Sequence, residues 1–265
     1  TRVALCVSYY GGEFCGWQAQ PHLPVATVQK TLEQALSKVA ATPISTHCAG
    51  RTDTGVHGVA QVVHFDDPVG RSQKAWVMGC NSNLPSTVRV LWAKSVPSDF
   101  HARFSAVSRH YRYVISNSAI QSPHHAGLVS HCRKPLDAQA MHDASQALLG
   151  EHDFSAFRAA QCQATHPIRE ILGVRVKRVE NFVILDIEAN AFLYHMVRNL
   201  VGSLQMVGLG LRSREWIAEL LSGKDRTLGG DTAGPSGLYL QSITYPERFG
   251  LPVHQALNSL LLGGG

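Results

Sequence analysis

A glycine-rich segment holds the side chains best suited to chemistry, because it combines a carboxylate with an arginine, a histidine and hydroxyl groups. Its glycines permit backbone angles that are closed to other residues, so the chain can reverse sharply and approach a ligand closely. A carboxylate kept ionised by a nearby arginine can act as a nucleophile or as a base. The alternative is an ordinary turn whose aspartate bonds its own backbone. The segment reads Ala49-Gly50-Arg51-Thr52-Asp53-Thr54-Gly55-Val56-His57-Gly58.

Two other stretches alternate basic and aromatic residues. Within a strand, Tyr111 and Tyr113 share one face, whereas His110 and Arg112 share the other. Rings that stack on bases, next to arginines that hold phosphates, suit unpaired RNA nucleotides. The alternative is a half-buried strand whose tyrosines pack on the core. The stretches are Phe100-His101-Ala102-Arg103-Phe104-Ser105-Ala106 and Arg109-His110-Tyr111-Arg112-Tyr113.

A long predicted helix, residues 190–209, carries one arginine in apolar surroundings. Arg198 lies about 200° around the helix from Met196, which belongs to the main apolar stripe. An arginine in this position favours a carboxylate partner, and Asp53 is a candidate. Other basic residues of the second half form either an RNA-binding edge or a solvated strand face. They are Arg158, Arg169, Arg175, Lys177 and Arg178.

The composition is that of a folded protein with a mild basic excess. Of the 265 residues, 45% are hydrophobic and 16% charged, enough for a substantial core in two modest domains or one large one. The net charge is +5, and 17 arginines stand against 7 lysines. This bias favours a nucleic-acid partner because guanidinium groups match phosphates and stack on bases. Ordinary solubilising charge is the alternative.

Cysteine and histidine spacing favours a cytoplasmic protein without a metal. The six cysteines include no CxxC pair, so we expect reduced thiols. The 14 histidines include no HExxH sequence and do not accompany paired cysteines. No window of about 18 apolar residues predicts a membrane span.

Hydrophobic periodicity predicts an α+β fold. The first half follows the order strand, helix, strand, strand, helix, strand, which is the split βαβ plan of a ferredoxin-like unit, and the order recurs in the second half. We expect two tandem ferredoxin-like units, residues 1–100 and 101–265. They would form one mainly antiparallel sheet with helices on one face and an RNA-binding cleft on the other. The predicted strands are 3–9, 44–48, 59–65, 88–96, 109–116, 168–178, 182–188 and 238–245, and the predicted helices are 27–40, 72–80, 137–149, 190–209 and 214–221.

Seven short motifs run in order through essentially the whole chain. They are Gly16-Trp17-Gln18 with Gln20, Gly50-Arg51-Thr52-Asp53-x-Gly55-Val56-His57, Asn83-Leu84-Pro85, Phe100-His101-Ala102-Arg103, Tyr111-Arg112-Tyr113, His195-Met196-Val197-Arg198-Asn199 and Gly237-Leu238-Tyr239-Leu240. Together they resemble the tRNA pseudouridine synthase A family. The resemblance implies a homodimeric isomerase that converts uridines 38, 39 and 40 of the tRNA anticodon stem-loop to pseudouridine and needs no cofactor or metal.

The resemblance also implies roles for particular residues. Asp53 is the expected catalytic carboxylate, Arg198 its ionic partner, and Tyr111 the ring that stacks on the target base. Thr54 departs from the family, which commonly carries alanine there, and its hydroxyl could bond to the carboxylate. By the same resemblance, Arg51 is an expected RNA contact and Leu238 is expected to line the pocket. His57 of the glycine-rich segment is a further candidate for substrate binding, and the basic stretches described above supply four candidates for RNA binding: Arg103, Arg112, Arg158 and Arg169.

Two other functions stay open at the level of sequence. The first is a non-catalytic RNA-binding module in which Asp53 is only a turn residue. The second is a hydrolase that uses Asp53 and the histidines with a divalent metal. The apolar tail residues Leu257, Leu260, Leu261 and Leu262 are candidates for a dimer interface.

Overall fold

The computed structural model describes residues 1–20 and 24–252. The chain forms two compact units. Unit 1 comprises Thr1–Val107 together with the segment that begins at Tyr239, and unit 2 comprises Ser108–Leu238. The division into domains 1–100 and 101–265 stays a prediction, and the apolar tail lies outside the described residues.

Unit 1 is built on a mixed sheet with strands in the order β4-β1-β3-β10, and β2 also pairs with β3. β1 pairs antiparallel with both β3 and β4, whereas β10 runs parallel to β3 through the pair Tyr239 and His57. The strands are β1 (Arg2–Tyr9), β2 (His47–Cys48), β3 (His57–Asp66), β4 (Val88–Val96) and β10 (Leu238–Thr244).

Apolar side chains cover both faces of the unit 1 sheet. On one face, Leu5 and Val7 of β1 belong to a core cluster with residues of two helices, α1 (Val28–Ala40) and α2 (Gln73–Asn83). On the other face, Ala4 clusters with Phe100 and with other residues that include Val62 and Phe249. Burial on both faces explains why β1 reads as a continuous apolar run rather than as an alternating one.

The two helices of unit 1 begin at the residues that cap them. Thr27 Oγ1 accepts a hydrogen bond from the Lys30 amide at 3.4 Å, and Ser72 Oγ accepts one from the Ala75 amide at 3.2 Å. These bonds satisfy backbone donors that a helix leaves open at its start. The predicted start and end of α1 are confirmed, and α2 continues three residues beyond its predicted end at Cys80.

Unit 2 contains a sheet with strands in the order β5-β9-β8-β7, all antiparallel, and a short β6 that runs parallel to β5. Its strands are β5 (Ser108–Ser116), β6 (Ser130–His131), β7 (Gly150–Asp153), β8 (Ile168–Val179) and β9 (Phe182–Ala189). Its helices are α3 (Ala138–Ser145), α4 (Met196–Gly208) and α5 (Trp216–Gly223).

Three sequence predictions for unit 2 were wrong in detail. Helix α4 begins at Met196 and not near residue 190, because His195 adopts a left-handed conformation with φ 59° that a continuous helix does not allow. Helix α3 ends at Ser145 and continues only as a 3₁₀ turn. Strands β6 and β7 were missed because two and four residues are too short to show a period.

The predicted class is confirmed: the fold is α+β, with mainly antiparallel strand pairing. Within residues 1–20 and 24–252, no helix is long and apolar enough to cross a membrane.

Candidate active-site corner

The glycine-rich segment of residues 50–56, here called the corner, leads from β2 into β3. Its entrance is held by Gln61 of β3, whose side chain is fully buried. Gln61 Nε2 donates to the carbonyl of Gly50 at 2.5 Å, and the Gly50 amide lies 3.4 Å from Gln61 Oε1. One amide side chain therefore satisfies both backbone groups of the first corner residue.

Thr52 anchors the centre of the corner. Its side chain is buried, and its hydroxyl lies 2.8 Å from the hydroxyl of Tyr9 on β1. Its carbonyl accepts a hydrogen bond from the amide of Trp17 at 3.0 Å. Since Trp17 is also buried and its carbonyl accepts from the Gln29 amide in α1, the corner is tied through the Gly16-Trp17 segment to that helix.

Close backbone packing supports the far side of the corner. The Val56 amide donates to the Asp53 carbonyl at 3.1 Å, and Gly55 supplies the positive φ of 80° for this turn. The turn Gly11–Glu13 lies against it so closely that a Cβ on Gly11 would stand 1.9 Å from the Val56 carbonyl oxygen. Only glycine fits at position 11.

Asp53 lies between two buried residues of this anchored backbone. Thr52 and Val56 point inward, whereas Arg51 and Thr54 are exposed and Asp53 is half-buried. A carboxylate in this position stays accessible to a substrate while its backbone is held on both sides. That combination suits a catalytic group, which needs a fixed geometry and an open approach.

His57 follows the corner at the start of β3. Its ring is 2% exposed and stacks between Tyr10, at 5.1 Å, and Tyr239 of β10, at 4.6 Å between centroids. Its Nδ1 accepts a hydrogen bond from the Gly11 amide at 2.9 Å. These contacts place His57 behind the corner as part of its support. Burial raises the pKa of Tyr239 above its ordinary value, so this phenol stays neutral.

Unit 2 holds the predicted stacking residue on its first strand. Tyr111 of β5 is 9% exposed, and its ring meets that of Phe192 edge to face at 5.1 Å.

The neighbouring Tyr113 of β5 is buried more deeply and donates to the Gly234 carbonyl at 2.8 Å. Burial raises the pKa of Tyr113 to about 12, against opposing effects of Ser130 and Arg198. Leu238, the predicted pocket residue, is buried at the start of β10.

Arg198 lies in the first turn of α4 and is half-buried. Its Nε donates to the carbonyl of Ala233 at 2.7 Å, and its own carbonyl accepts from the Ala233 amide at 3.1 Å. This reciprocal pair fixes the guanidinium relative to the segment that follows α5. The orientation of Arg198 is thus set by backbone contacts within unit 2.

Three arginines predicted to bind RNA have intramolecular partners. Arg112 binds Asp186 with two hydrogen bonds of 2.8 and 3.1 Å. Burial acts to raise the pKa of Asp186, but its hydrogen bonds to His110 and Arg112 outweigh burial and lower it. Arg158 donates to two carbonyls of its own loop, and Arg169 to the carbonyls of His166 and Ile168.

Arg103 is exposed, whereas Arg112, Arg158 and Arg169 are half-buried. Its guanidinium carbon lies 5.6 Å from the centre of the Phe104 ring.

Sequence reasoning missed the residues that hold the corner. Tyr9, Trp17 and Gln61 all lie outside it, and only Trp17 stood in a noted motif. A signal for Gln61 was present, since a glutamine within the apolar run of β3 must find polar partners when the strand is buried.

No metal-ligand cluster is found in the part of the chain that the structure describes: no three or more histidine, cysteine, aspartate or glutamate side chains are placed to hold an ion.

Comparison with known proteins identifies the family to which this chain belongs. A family profile described as tRNA pseudouridine synthase matches residues 5–105 and 144–246. Proteins named tRNA pseudouridine synthase A from Idiomarina loihiensis and Vibrio vulnificus are each 53% identical over 251 residues, which is 95% of this chain and 95% and 94% of theirs. One from an Enterobacter species is 52% identical, over 95% of this chain and 92% of its own.

The chain therefore belongs to the tRNA pseudouridine synthase family, whose members are isomerases that convert uridine to pseudouridine in tRNA. The family predicted from the seven motifs is confirmed.

Proposed function

We propose that the protein isomerises uridines 38, 39 and 40 of the tRNA anticodon stem-loop, with Asp53 as its catalytic carboxylate. The observation that supports Asp53 most directly is its position on the corner. Thr52 is anchored to Tyr9 and Trp17, and Val56 packs against the Gly11 turn, while Asp53 itself is only half-buried.

The reaction requires a group of this kind. Conversion breaks the N1–C1′ bond of uridine, turns the base in place and joins C5 to C1′. The proton of C5 is then removed, and the N1 freed from the sugar takes up a proton. A carboxylate can serve by attacking the sugar carbon, by attacking the base, or by taking a sugar proton to give a glycal-like intermediate. All three routes need an ionised carboxylate, and all three need the base out of the stack.

We assign supporting roles to residues of both units. Tyr111 stacks on the displaced base and takes or relays the C5 proton, Leu238 lines the pocket, and Arg198 is the proposed ionic partner of Asp53. For His57 we propose a supporting role behind the corner in place of the substrate contact predicted from sequence, because its ring is buried between two tyrosines.

The contacts with RNA fall into two groups. Arg51 and Arg103 are exposed in unit 1 and are proposed to contact the RNA backbone or bases. Arg112, Arg158 and Arg169 donate hydrogen bonds to intramolecular partners. Each of them would bind RNA either while it keeps that partner or by giving the partner up. The working form is proposed to be a cytoplasmic homodimer.

The decisive variant is Asp53→Asn, which removes the charge at nearly constant shape. With tRNA tritiated at uridine C5, we expect tritium release to fall roughly thousandfold or more while the Kd for tRNA changes little. The matched control is Asp99→Asn, because Asp99 is an exposed carboxylate of unit 1 whose partner is the exposed Arg248. It should release tritium as the unaltered protein does.

The outcomes separate the alternative functions. Full tritium release by Asp53→Asn would contradict the catalytic assignment and leave a role for Asp53 only in the turn. Release abolished by a chelator and restored by a divalent ion would favour a metal-dependent mechanism. Transcripts that carry a single uridine at position 38, 39 or 40 test the positions, and we expect pseudouridine in all three.

A further inference from the structure

The turn that follows Phe100 presents an exposed aromatic ring on a fixed backbone. Phe104 is 76% exposed. Around it, the His101 amide donates to Ser105 Oγ and the Ser105 amide donates back to the His101 carbonyl, each at 2.9 Å. His101 Nδ1 accepts from the amides of Arg103 and Phe104 at 3.1 and 3.3 Å. Hydrogen bonds within the turn therefore hold the backbone that carries the ring.

Phe104 is the outer end of a column of aromatic rings. Its ring centre lies 4.3 Å from that of His101, with 33° between the planes. His101 in turn meets the buried His64 edge to face at 4.6 Å, and His64 meets the buried Phe100 edge to face at 6.0 Å. His64 is held in place because its Nδ1 accepts from the Ala102 amide at 3.0 Å. One end of the column is anchored in the core, and the other faces solvent.

The histidines of this column are neutral at neutral pH. Burial, with smaller contributions from His101, Arg2 and His47, lowers the pKa of His64 to about 4. Burial and the neighbouring His47 also lower the pKa of His101. The column therefore presents aromatic faces and not a cluster of cations.

Positive charge is supplied beside the column by arginines. The Arg103 guanidinium lies 5.6 Å from the centre of the Phe104 ring. Arg51 of the corner and Arg103 both act on the thiol of Cys48: burial raises its pKa to about 11, and both arginines oppose that rise. Both guanidinium groups therefore act on the same residue of unit 1.

We propose that Phe104 and Arg103 form a stacking platform for an unpaired nucleobase of the tRNA, other than the uridine that reacts. The exposed face of Phe104 takes the base, and Arg103 contacts the same nucleotide or its phosphate. A flat base fits because every nucleobase has a π-face, and an adjacent arginine complements the phosphate that each base carries with it. The proposal rests on tRNA as the substrate, but not on Asp53 as the catalytic group.

The test compares Phe104→Leu, which keeps an apolar side chain but removes the ring, with Phe104→Trp, which keeps an aromatic face. For full-length tRNA we expect Phe104→Leu to raise Kd roughly 5- to 100-fold, the effect of one lost base stack. KM should rise with kcat nearly unchanged, and Phe104→Trp should restore binding. The control is Ile120→Ala, which trims another exposed apolar side chain and should leave Kd unchanged.

Two further measurements show what binds to the Phe104 ring. In Phe104→Trp, tRNA should quench tryptophan emission more than it does in the unaltered protein, because a stacked base quenches indole fluorescence. Sedimentation of Phe104→Leu should show an unchanged oligomeric state. Unchanged Kd in Phe104→Leu would overturn the platform, and so would a shift toward monomers, since the ring would then cover a second copy of the chain.

Failure of the platform and failure of the catalytic proposal are distinguishable. If Asp53→Asn still releases tritium while Phe104→Leu weakens tRNA binding, the catalytic assignment falls and the platform stands. If Asp53→Asn is inactive while Phe104→Leu binds normally, only the platform falls.

Discussion

At the scale of single residues, the catalytic proposal depends on neighbours that do no chemistry. Asp53 is positioned because Thr52 beside it is held by a side-chain hydroxyl and a backbone amide from two other segments. Buried hydroxyls keep one geometry because an unpaired polar group in the interior is costly. The backbone at Asp53 is thus held in place because its neighbour Thr52 is buried and hydrogen-bonded.

A double-mutant cycle on Tyr9 and Thr52 tests this dependence. Tyr9→Phe removes one partner of a buried 2.8 Å hydrogen bond, so we expect a loss of about 1–2 kcal/mol in the free energy of unfolding and a several-fold fall in kcat. Thr52→Val should do the same. In the double variant the two losses should overlap, with a coupling of about 1 kcal/mol by urea unfolding. Strict additivity would show that the hydroxyl pair does not hold the corner.

At the scale of elements, the corner is a turn supported by another turn. The Gly11–Glu13 turn follows β1, the corner precedes β3, and antiparallel pairing of the two strands brings both turns to the same end of the sheet. Gly11 lets their backbones touch, and its amide also fixes His57. The Gly16-Trp17 segment then connects the corner to α1, so sheet and helix both restrain it.

Gly11→Ala tests the contact between the two turns. Its Cβ would lie 1.9 Å from the Val56 carbonyl oxygen, so the corner must shift. We expect a loss of about 1–3 kcal/mol in unfolding free energy, the usual cost of overpacking, and a fall in kcat. The control is Gly173→Ala in β8, where nothing lies within 4 Å of the added Cβ. If the control loses as much stability and activity as Gly11→Ala, the contact between the two turns does not explain the effect of Gly11→Ala.

At the scale of the whole molecule, charge governs the approach to RNA. The net charge is +5, a mild excess for 265 residues, so binding must depend on where the arginines lie more than on their number. Arg51 and Arg103 in unit 1 are exposed, whereas Arg112 in unit 2 is half-buried. We expect the first two to contribute to phosphate contacts more than the third.

The salt dependence of tRNA binding measures those contacts. The logarithm of affinity should fall linearly with the logarithm of salt concentration, by roughly 0.7 to 0.9 per neutralised phosphate. Arg51→Gln and Arg103→Gln should each reduce the slope by about 1. Arg214→Gln, which removes an exposed arginine paired with Asp143 in unit 2, should leave it unchanged. Affinity independent of salt would contradict the electrostatic account.

The parts of the fold that were predicted correctly have local causes. Thr27 and Ser72 cap helices through residues three positions later, and β4 follows from an apolar run of its own, so a short window of sequence contains the whole signal. The late start of α4 was missed because it depends on the left-handed backbone of His195, which no periodicity reveals.

By itself, the sequence determined the family and the α+β class, because motifs and periodicity are properties of neighbouring residues. Only the tertiary structure decided what holds the corner and where its side chains point. Tyr9 and Thr52 are 43 residues apart, and they meet because the pairing of β1 with β3 sets which residues stand opposite each other. The same register buried His57, while the turn at His101 left Phe104 facing solvent. Hydrogen-bond partners so distant along the chain are chosen by strand register and close packing, which no short stretch of sequence specifies.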